Sequence, residues 1–230
     1  MKVLVTGAGS GIGEAISDAL LARGDDLVLL GRNQQRVEDL RRRYAGADVR
    51  VGDLAEFATV ADAVADAVAD LDRLDAVVHA AGVLELGPVA ELPLENLTGQ
   101  LRVNLVAPTE LTRALLPALR AGRGTVVFLN SGAGLVAHPD WSAYAASKFG
   151  LRAVADSLRA EEAKAGVRVT SMYLGRIATP MQQKVHEQEG KEYDPGDWVS
   201  PASVAATVLH LLDLPDDATI PDITVRPRPR

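Results

Sequence analysis

The chain has 230 residues, 47% of them apolar and 24% charged, with a formal net charge of −7. That length supports one sizeable core and reads as a single domain over 1–230; the acidic balance argues against a nucleic-acid partner, which would need a basic face. The sequence contains no cysteine, which excludes disulfides, thiolate metal sites and a cysteine nucleophile. No apolar run approaches the roughly 20 residues that span a bilayer, so no membrane partner is expected.

The opening Met1-Lys2-Val3-Leu4-Val5-Thr6-Gly7 turns glycine-rich too early for a secretory signal and reads as a first strand, Val3–Val5. A cytoplasmic protein is the matching expectation. A helix follows from about Gly11 to Arg23, with Gly24 as its C-cap. Leu27–Leu30 is a second strand, and Asn33 can cap a helix running to about Tyr44. Val49–Val51 is a third strand. An alanine-rich helix is expected from about Phe57 to Asp70, and Ala76–Val78 is a fourth strand. A long helix, about Leu97–Leu119, precedes a fifth strand, Thr125–Leu129. A helix from about Trp141 to Ala165 leads into a sixth strand, Val167–Tyr173. Ser200-Pro201 opens a helix to Leu212, the proline suiting the first helical position, and Ile223–Val225 would be a seventh strand.

Short apolar runs alternating with helical stretches are the pattern of a parallel sheet covered on both faces. The expected fold class is therefore α/β: a three-layer, doubly wound Rossmann fold with a seven-stranded parallel sheet. The stretch 176–199 is polar and too long for a simple connection, so it is expected to form a substrate flap with some local helix. The tail Arg226-Pro227-Arg228-Pro229-Arg230 reads as a frayed terminus.

Between the first strand and first helix stands Thr6-Gly7-Ala8-Gly9-Ser10-Gly11-Ile12-Gly13. Glycines there permit positive φ and a close backbone approach to a pyrophosphate, and the helix N-terminus adds free N–H groups. The spacing is Gly-x3-Gly-x-Gly and does not match G-x-G-x-x-G; by itself it also fits a purely structural turn. Gly7, Gly9, Ser10, Gly11, Ile12 and Gly13 are the candidate phosphate-loop residues. At the end of the second strand, Leu30-Gly31-Arg32 has no acidic residue for an adenosine 2′-hydroxyl, whereas Arg32 can pair with a 2′-phosphate. This favours NADP(H) over NAD(H), with a solvated helix-start arginine as the alternative.

Tyr144 and Lys148 lie at i and i+4 on a predicted helix, hence on one face. A nearby ammonium is expected to lower the phenol pKa from about 10 towards neutrality and make Tyr144 a general acid/base. Ser131 ends the fifth strand, where ligands of open parallel sheets bind, and Asn104 sits inside a helix between Val103 and Leu105. Taken singly, each is ordinary.

Together and in order, these residues resemble the short-chain dehydrogenase/reductase family in its single-domain form of about 250 residues, and the resemblance covers essentially the whole chain. Thr6-Gly7-x3-Gly11-Ile12-Gly13 resembles its cofactor loop, Asp53-Leu54 its adenine-contacting pair, and His79-Ala80-Ala81-Gly82 its Asn-Asn-Ala-Gly segment. Asn104, Ser131, Tyr144 and Lys148 fall where its catalytic tetrad falls. Gly175-Arg176-Ile177-Ala178-Thr179 resembles the segment that holds the nicotinamide carboxamide, through Ile177 and Thr179.

The resemblance implies an oxidoreductase acting on a small-molecule carbonyl or alcohol. Tyr144 would exchange the proton, Ser131 orient the reacting oxygen, Lys148 tune Tyr144 and grip the nicotinamide ribose, and Asn104 hold a water. It also implies a homo-oligomer, dimer or tetramer; the short C-terminal end puts the tetramer in doubt. The sequence departs from the pattern at His79-Ala80, at Asn130, where a second serine is common, and at Leu174, usually proline. A cofactor-binding sensor with little turnover is the alternative, and an epimerase or dehydratase is disfavoured by the short stretch after Thr179. The four histidines show no metal-ligand spacing, so no metal is expected. Leu84, Val136, His138, Trp141, Leu174 and Met181 are expected to line an apolar substrate pocket, with Arg176 the only basic candidate for a carboxylate.

Overall fold

The computed structural model describes residues 1–55 and 70–228. Seven strands form one parallel sheet: β1 (Lys2–Thr6), β2 (Asp26–Gly31), β3 (Asp48–Val51), β4 (Ala76–His79), β5 (Thr125–Ser131), β6 (Arg168–Leu174) and β7 (Asp222–Val225). Their spatial order is β3-β2-β1-β4-β5-β6-β7. The order reverses between β1 and β4, and at such a switch point the loops leaving the two strands part to open a crevice. The expected α/β class and seven parallel strands are what the molecule has. The helix expected over 57–70 lies outside the described residues apart from Asp70.

The helices are α1 (Gly11–Arg23), α2 (Gln34–Arg43), α3 (Leu94–Leu101), α4 (Ala107–Gly122), α5 (Ser142–Glu162), α6 (Pro180–Gln188) and α7 (Pro201–Leu212). Several ends are set as their sequence dictates. Gly24 caps α1 at φ +89°, the Asn33 side chain accepts from the Arg36 N–H, and Ser200 accepts from the Ser203 N–H ahead of Pro201.

Strand residues alternate between the two cores because successive side chains point to opposite faces. Val3, Val5, Leu27, Leu29, Val127 and Met172 pack with Ile16 and Leu20 of α1 and with Val204 and Val208 of α7. Leu4, Val28, Val77, Val126 and Phe128 pack with Leu111 and Leu115 of α4 and Leu151 of α5. Both faces are covered, which is why the central strands read as unbroken apolar runs.

The expected long helix at 97–119 begins earlier, at Leu94, and contains a π-helical turn at Arg102–Val106. Such turns add a residue to the helix and re-aim side chains; here the re-aimed residue is Asn104.

Candidate active site

The crevice holds two adjoining cavities, of 360 Å³ and 470 Å³, which share Ile12, Ala80, Ala81, Gly82, Thr179 and Met181. The first has one glycine-rich wall. Gly7, Gly9, Ser10, Gly11 and Ile12 form one side; Leu30, Arg32, Asp53 and Leu54 form the other. Gly7 has φ +73°, and a Cβ there would lie 2.8 Å from the Ala81 nitrogen. The close approach of the β1 and β4 loops is held by the Thr6 hydroxyl, which accepts from the Ala80 and Ala81 N–H groups, both at 3.1 Å. Gly13 does not line the cavity. A Cβ on it would run into the Gly7 carbonyl, so its bareness lets α1 seat against the loop.

Ser10, at the N-cap of α1, is extended and makes no side-chain cap bond. The first-turn N–H groups and the positive end of the helix dipole therefore remain available to an anion. Beneath the loop, the buried Tyr44 hydroxyl lies 3.4 Å from both the Ala8 and Glu14 carbonyls and joins loop to helix.

Side chains build the second cavity. Leu84, Leu129, Trp141, Leu174, Ile177 and Val185 supply apolar walls; Ser131, Tyr144, Lys148, Arg176, Gln182 and Glu189 supply polar groups. Of the residues expected to line a substrate pocket, Leu84, His138, Trp141, Leu174 and Met181 are there. Val136 is not: it is 56% exposed, because the loop after Ser131 closes a 3₁₀ turn at Gly132–Gly134 and carries it outward.

Tyr144 and Lys148 occupy the first two turns of α5, one turn apart, and are 8% and 4% exposed. Trp141 packs edge-on against Tyr144, with ring centroids 5.9 Å apart. The Lys148 ammonium donates to the Leu129 carbonyl at 2.9 Å and stands 5.7 Å from the Tyr144 ring centroid.

This geometry corrects the expectation that Lys148 pulls the phenol towards neutrality. Burial pushes Tyr144 up to about 12, opposed only in part by the Ser131 hydroxyl. Burial likewise pushes Lys148 down to about 8. The physical reason is that removal from water disfavours the charged form of each group, while the ammonium is turned to the Leu129 carbonyl.

Asn104 joins three segments: its Oδ1 accepts from the Val83 N–H (2.9 Å), and its Nδ2 donates to the Val83 carbonyl (2.8 Å) and to Ser147 Oγ (3.1 Å). Ser147 donates in turn to the Tyr144 carbonyl at 2.7 Å. The π-turn thus braces the β4 loop against the helix carrying Tyr144.

Two residues to which the sequence assigns no site role help to build the site, Asn130 (noted above only as a departure from the family pattern) and Arg36. Asn130 Oδ1 accepts from the Ser131 N–H (2.8 Å), and its Nδ2 donates to the Lys148 carbonyl (3.2 Å), fixing the strand end to α5. Arg36 lines the first cavity with Arg32; neither guanidinium makes an ion pair among the described residues. The signal for Arg36 is its place in the first turn of α2, four residues after Arg32.

His79 is stacked on Phe128 at 4.9 Å. Thr112 donates its hydroxyl proton to the Pro108 carbonyl (2.7 Å), so it accepts from His79 Nε2–H (2.8 Å). Burial, with a smaller contribution from Lys148, pushes the His79 pKa down to about 3 and keeps the ring neutral.

The stretch 176–199 contains helix α6 (Pro180–Gln188), which Thr179 caps by accepting from the Gln182 N–H, and a parallel bridge between Ile177 and Val199 draws its ends together. Lys184 and Gln188 of α6 both reach Glu85 at 2.7 Å, which lays the helix across the cleft mouth. Among the described residues there is no cluster of His, Asp or Glu able to hold a metal ion, and no helix is long and apolar enough to cross a membrane.

A family model described as short chain dehydrogenase matches residues 1–190. An oxidoreductase of Staphylococcus epidermidis is 29% identical over 226 residues, covering 97% of this chain and 96% of that protein. Dehydrogenase/reductase SDR family member 7B of Mus musculus is 33% identical over 200 residues, covering 83% of this chain and 62% of that protein. Among solved structures, an alcohol dehydrogenase from the archaeon Thermococcus sibiricus, complexed with 5-hydroxy-NADP, matches with a TM-score of 0.86 at 25% identity, covering 100% of this chain and 98% of that one.

Proposed function

The chain belongs to the short chain dehydrogenase family, and from that premise we propose that it is an NADP(H)-dependent oxidoreductase that interconverts a carbonyl compound and its alcohol, with Tyr144 as general acid and base. The observation that carries this reading is the convergence of the Tyr144, Ser131 and Lys148 polar groups in one cleft that opens directly onto the glycine-built cavity.

The residues present fit a dinucleotide. A side chain at Gly7 would collide with the Ala81 backbone, and one at Gly11 would stand 3.3 Å from Thr179 Cγ2, so the cradle depends on their bareness. The α1 N-terminus would hold the pyrophosphate, while Asp53 and Leu54 would flank the adenine. Two further observations support NADP(H) over NAD(H). Among the described residues neither Arg32 nor Arg36 has an ion-pair partner at the cavity edge, and β2 ends at Gly31 with no carboxylate. The similar Thermococcus enzyme was solved with an NADP derivative.

When bound, the nicotinamide supplies or accepts the hydride. The chain's own residues handle the proton and the charge. With a pKa near 12, the Tyr144 phenol is protonated at neutral pH and suited to donate its proton to a carbonyl oxygen, which favours reduction. Ser131 hydrogen-bonds that same oxygen, and the buried Lys148, cationic below about pH 8, stabilises negative charge developing there. Oxidation runs the proton the other way and needs the tyrosinate, so it is favoured by alkaline pH. Asn104, through Val83 and Ser147, and Asn130, through Ser131 and Lys148, hold these groups in register.

The test is NADPH consumption by the purified protein with a panel of ketones and aldehydes. Turnover is expected, and Tyr144→Phe should lower kcat by roughly 10²–10⁴-fold, the usual worth of general acid–base catalysis. Tight NADPH binding with no turnover on any carbonyl, or turnover untouched in Tyr144→Phe, would refute the proposal.

A further inference from the structure

Among the described residues the substrate-side cavity is lined by one guanidinium, that of Arg176, beside Lys148 and His138, and it is already engaged. Arg176 Nη2 donates to both Glu189 carboxylate oxygens, at 2.6 and 2.9 Å. Its Nη1 lies 3.5 Å from His186 Nε2, and its guanidinium plane sits over the Trp198 ring at 5.5 Å. Both Arg176 and Glu189 line the cavity, so the pair forms part of the surface a substrate meets. Burial pushes the Glu189 carboxyl up, but hydrogen bonds from Arg176 and Lys191 outweigh it and hold the group below the usual carboxylate range; it is therefore an anion at neutral pH.

A guanidinium is the side chain best suited to bind a carboxylate through charged hydrogen bonds. Here a carboxylate of the chain itself has taken that position. A substrate carboxylate entering the cavity would have to displace Glu189 from Arg176 and then lie beside it, two like charges in a partly desolvated site. A neutral substrate meets no such opposition, and the apolar walls of Leu84, Trp141 and Leu174 reward it.

Resting on the carbonyl-oxidoreductase reading of this cleft, we infer that Glu189 is a specificity-determining residue: by occupying Arg176 it restricts the enzyme to uncharged carbonyl compounds and alcohols and excludes carboxylates. The selectivity comes from a repulsive element as well as an attractive one. The electrostatic opposition, more than cavity size, decides which substrates are turned away.

The test compares 4-formylbenzoate with its methyl ester, which presents the same aldehyde and ring without the charge. With NADPH, the wild type should show a kcat/KM for the ester at least tenfold above that for the acid. Glu189→Gln should raise the acid-to-ester ratio at least tenfold, mainly through a lower KM for the acid. Adding Arg176→Met to that variant should abolish the gain. A merely structural role for Glu189 would move both substrates together; an unchanged ratio, or a wild type that reduces acid and ester equally well, overturns the inference.

A second readout does not depend on turnover. Trp141 lines the cavity and Trp198 lies under Arg176, and they are the chain's two tryptophans, so their emission reports on ligands here. Titrated with benzoate, Glu189→Gln should bind at least tenfold more tightly than the wild type; equal affinities overturn the inference. If no form reduces any aldehyde, the function proposed above fails, while the benzoate titration still decides the role of Glu189.

Discussion

The two halves of the crevice are made of different material. On its loop side the cofactor-side cavity is a backbone construction: glycines that leave room, a helix end, and the β1 and β4 loops tied by Thr6. The substrate-side cavity is a side-chain construction, in which Ser131, Tyr144, Lys148, Arg176 and Glu189 arrive from four separate segments and are held by long-range hydrogen bonds. At Gly7 the backbone leaves no room for an added atom; side chains make a site whose chemistry can be retuned one residue at a time.

The comparison predicts how each half fails. The largest effect belongs to Gly7→Ala, which adds a Cβ at a positive-φ residue pressed against Ala81. Strain on the order of 1–3 kcal/mol is expected, together with a rise in the NADPH Kd of about a hundredfold if that strain falls on the bound form, at about 1.4 kcal/mol per factor of ten. Calorimetric titration against the wild type checks it; unaltered affinity would show that the cradle is less tightly built than the geometry says.

His79 is buried at the end of β4, just before Ala80 and Ala81, which line both halves, and its effect is next in size. Its folded pKa, about 3, lies below the unfolded value of 6.5, so the unfolded chain takes up the proton first. The associated stability is fully present above pH 6.5 and is lost as pH falls towards 3. Between pH 7 and pH 5 the histidine should account for about 2 kcal/mol of acid destabilisation, and His79→Asn should lose correspondingly less over that interval. Denaturant unfolding at the two pH values measures this, and equal slopes would mean that the ring is protonated without penalty.

The smallest effect concerns two guanidiniums at the edge of the cofactor-side half. Arg32→Ala and Arg36→Ala should each raise the NADPH KM by roughly tenfold, the scale of a charge-assisted hydrogen bond of about 1.5 kcal/mol, with far less change for NADH. Parallel effects on both cofactors would remove the assignment of a 2′-phosphate to this edge.

Legibility followed the same division. The glycine spacing at Gly7–Gly13, the alternating apolar strands and the caps at Gly24, Asn33 and Ser200 are local, and each was readable because the cause and its effect lie within a few residues. Tyr144 and Lys148 were readable as a helical pair for the same reason. Their electrostatics were not: whether an ammonium lowers a phenol pKa depends on where Lys148 points, and it points to the Leu129 carbonyl, a residue on another element. Val136 was misplaced because the 3₁₀ turn after Ser131 directs the loop outward.

By itself the sequence determined the layers of this protein, the order of its elements and the loop that fits a phosphate, since periodicity, capping and glycine placement act over short stretches of chain. Only the tertiary structure decided which charges are spoken for. Arg176 and Glu189 stand thirteen residues apart, and that spacing alone does not bring a guanidinium and a carboxylate together. Their meeting depends on the stretch 176–199 folding back on itself, and burial there sets the strength of every charge it encloses.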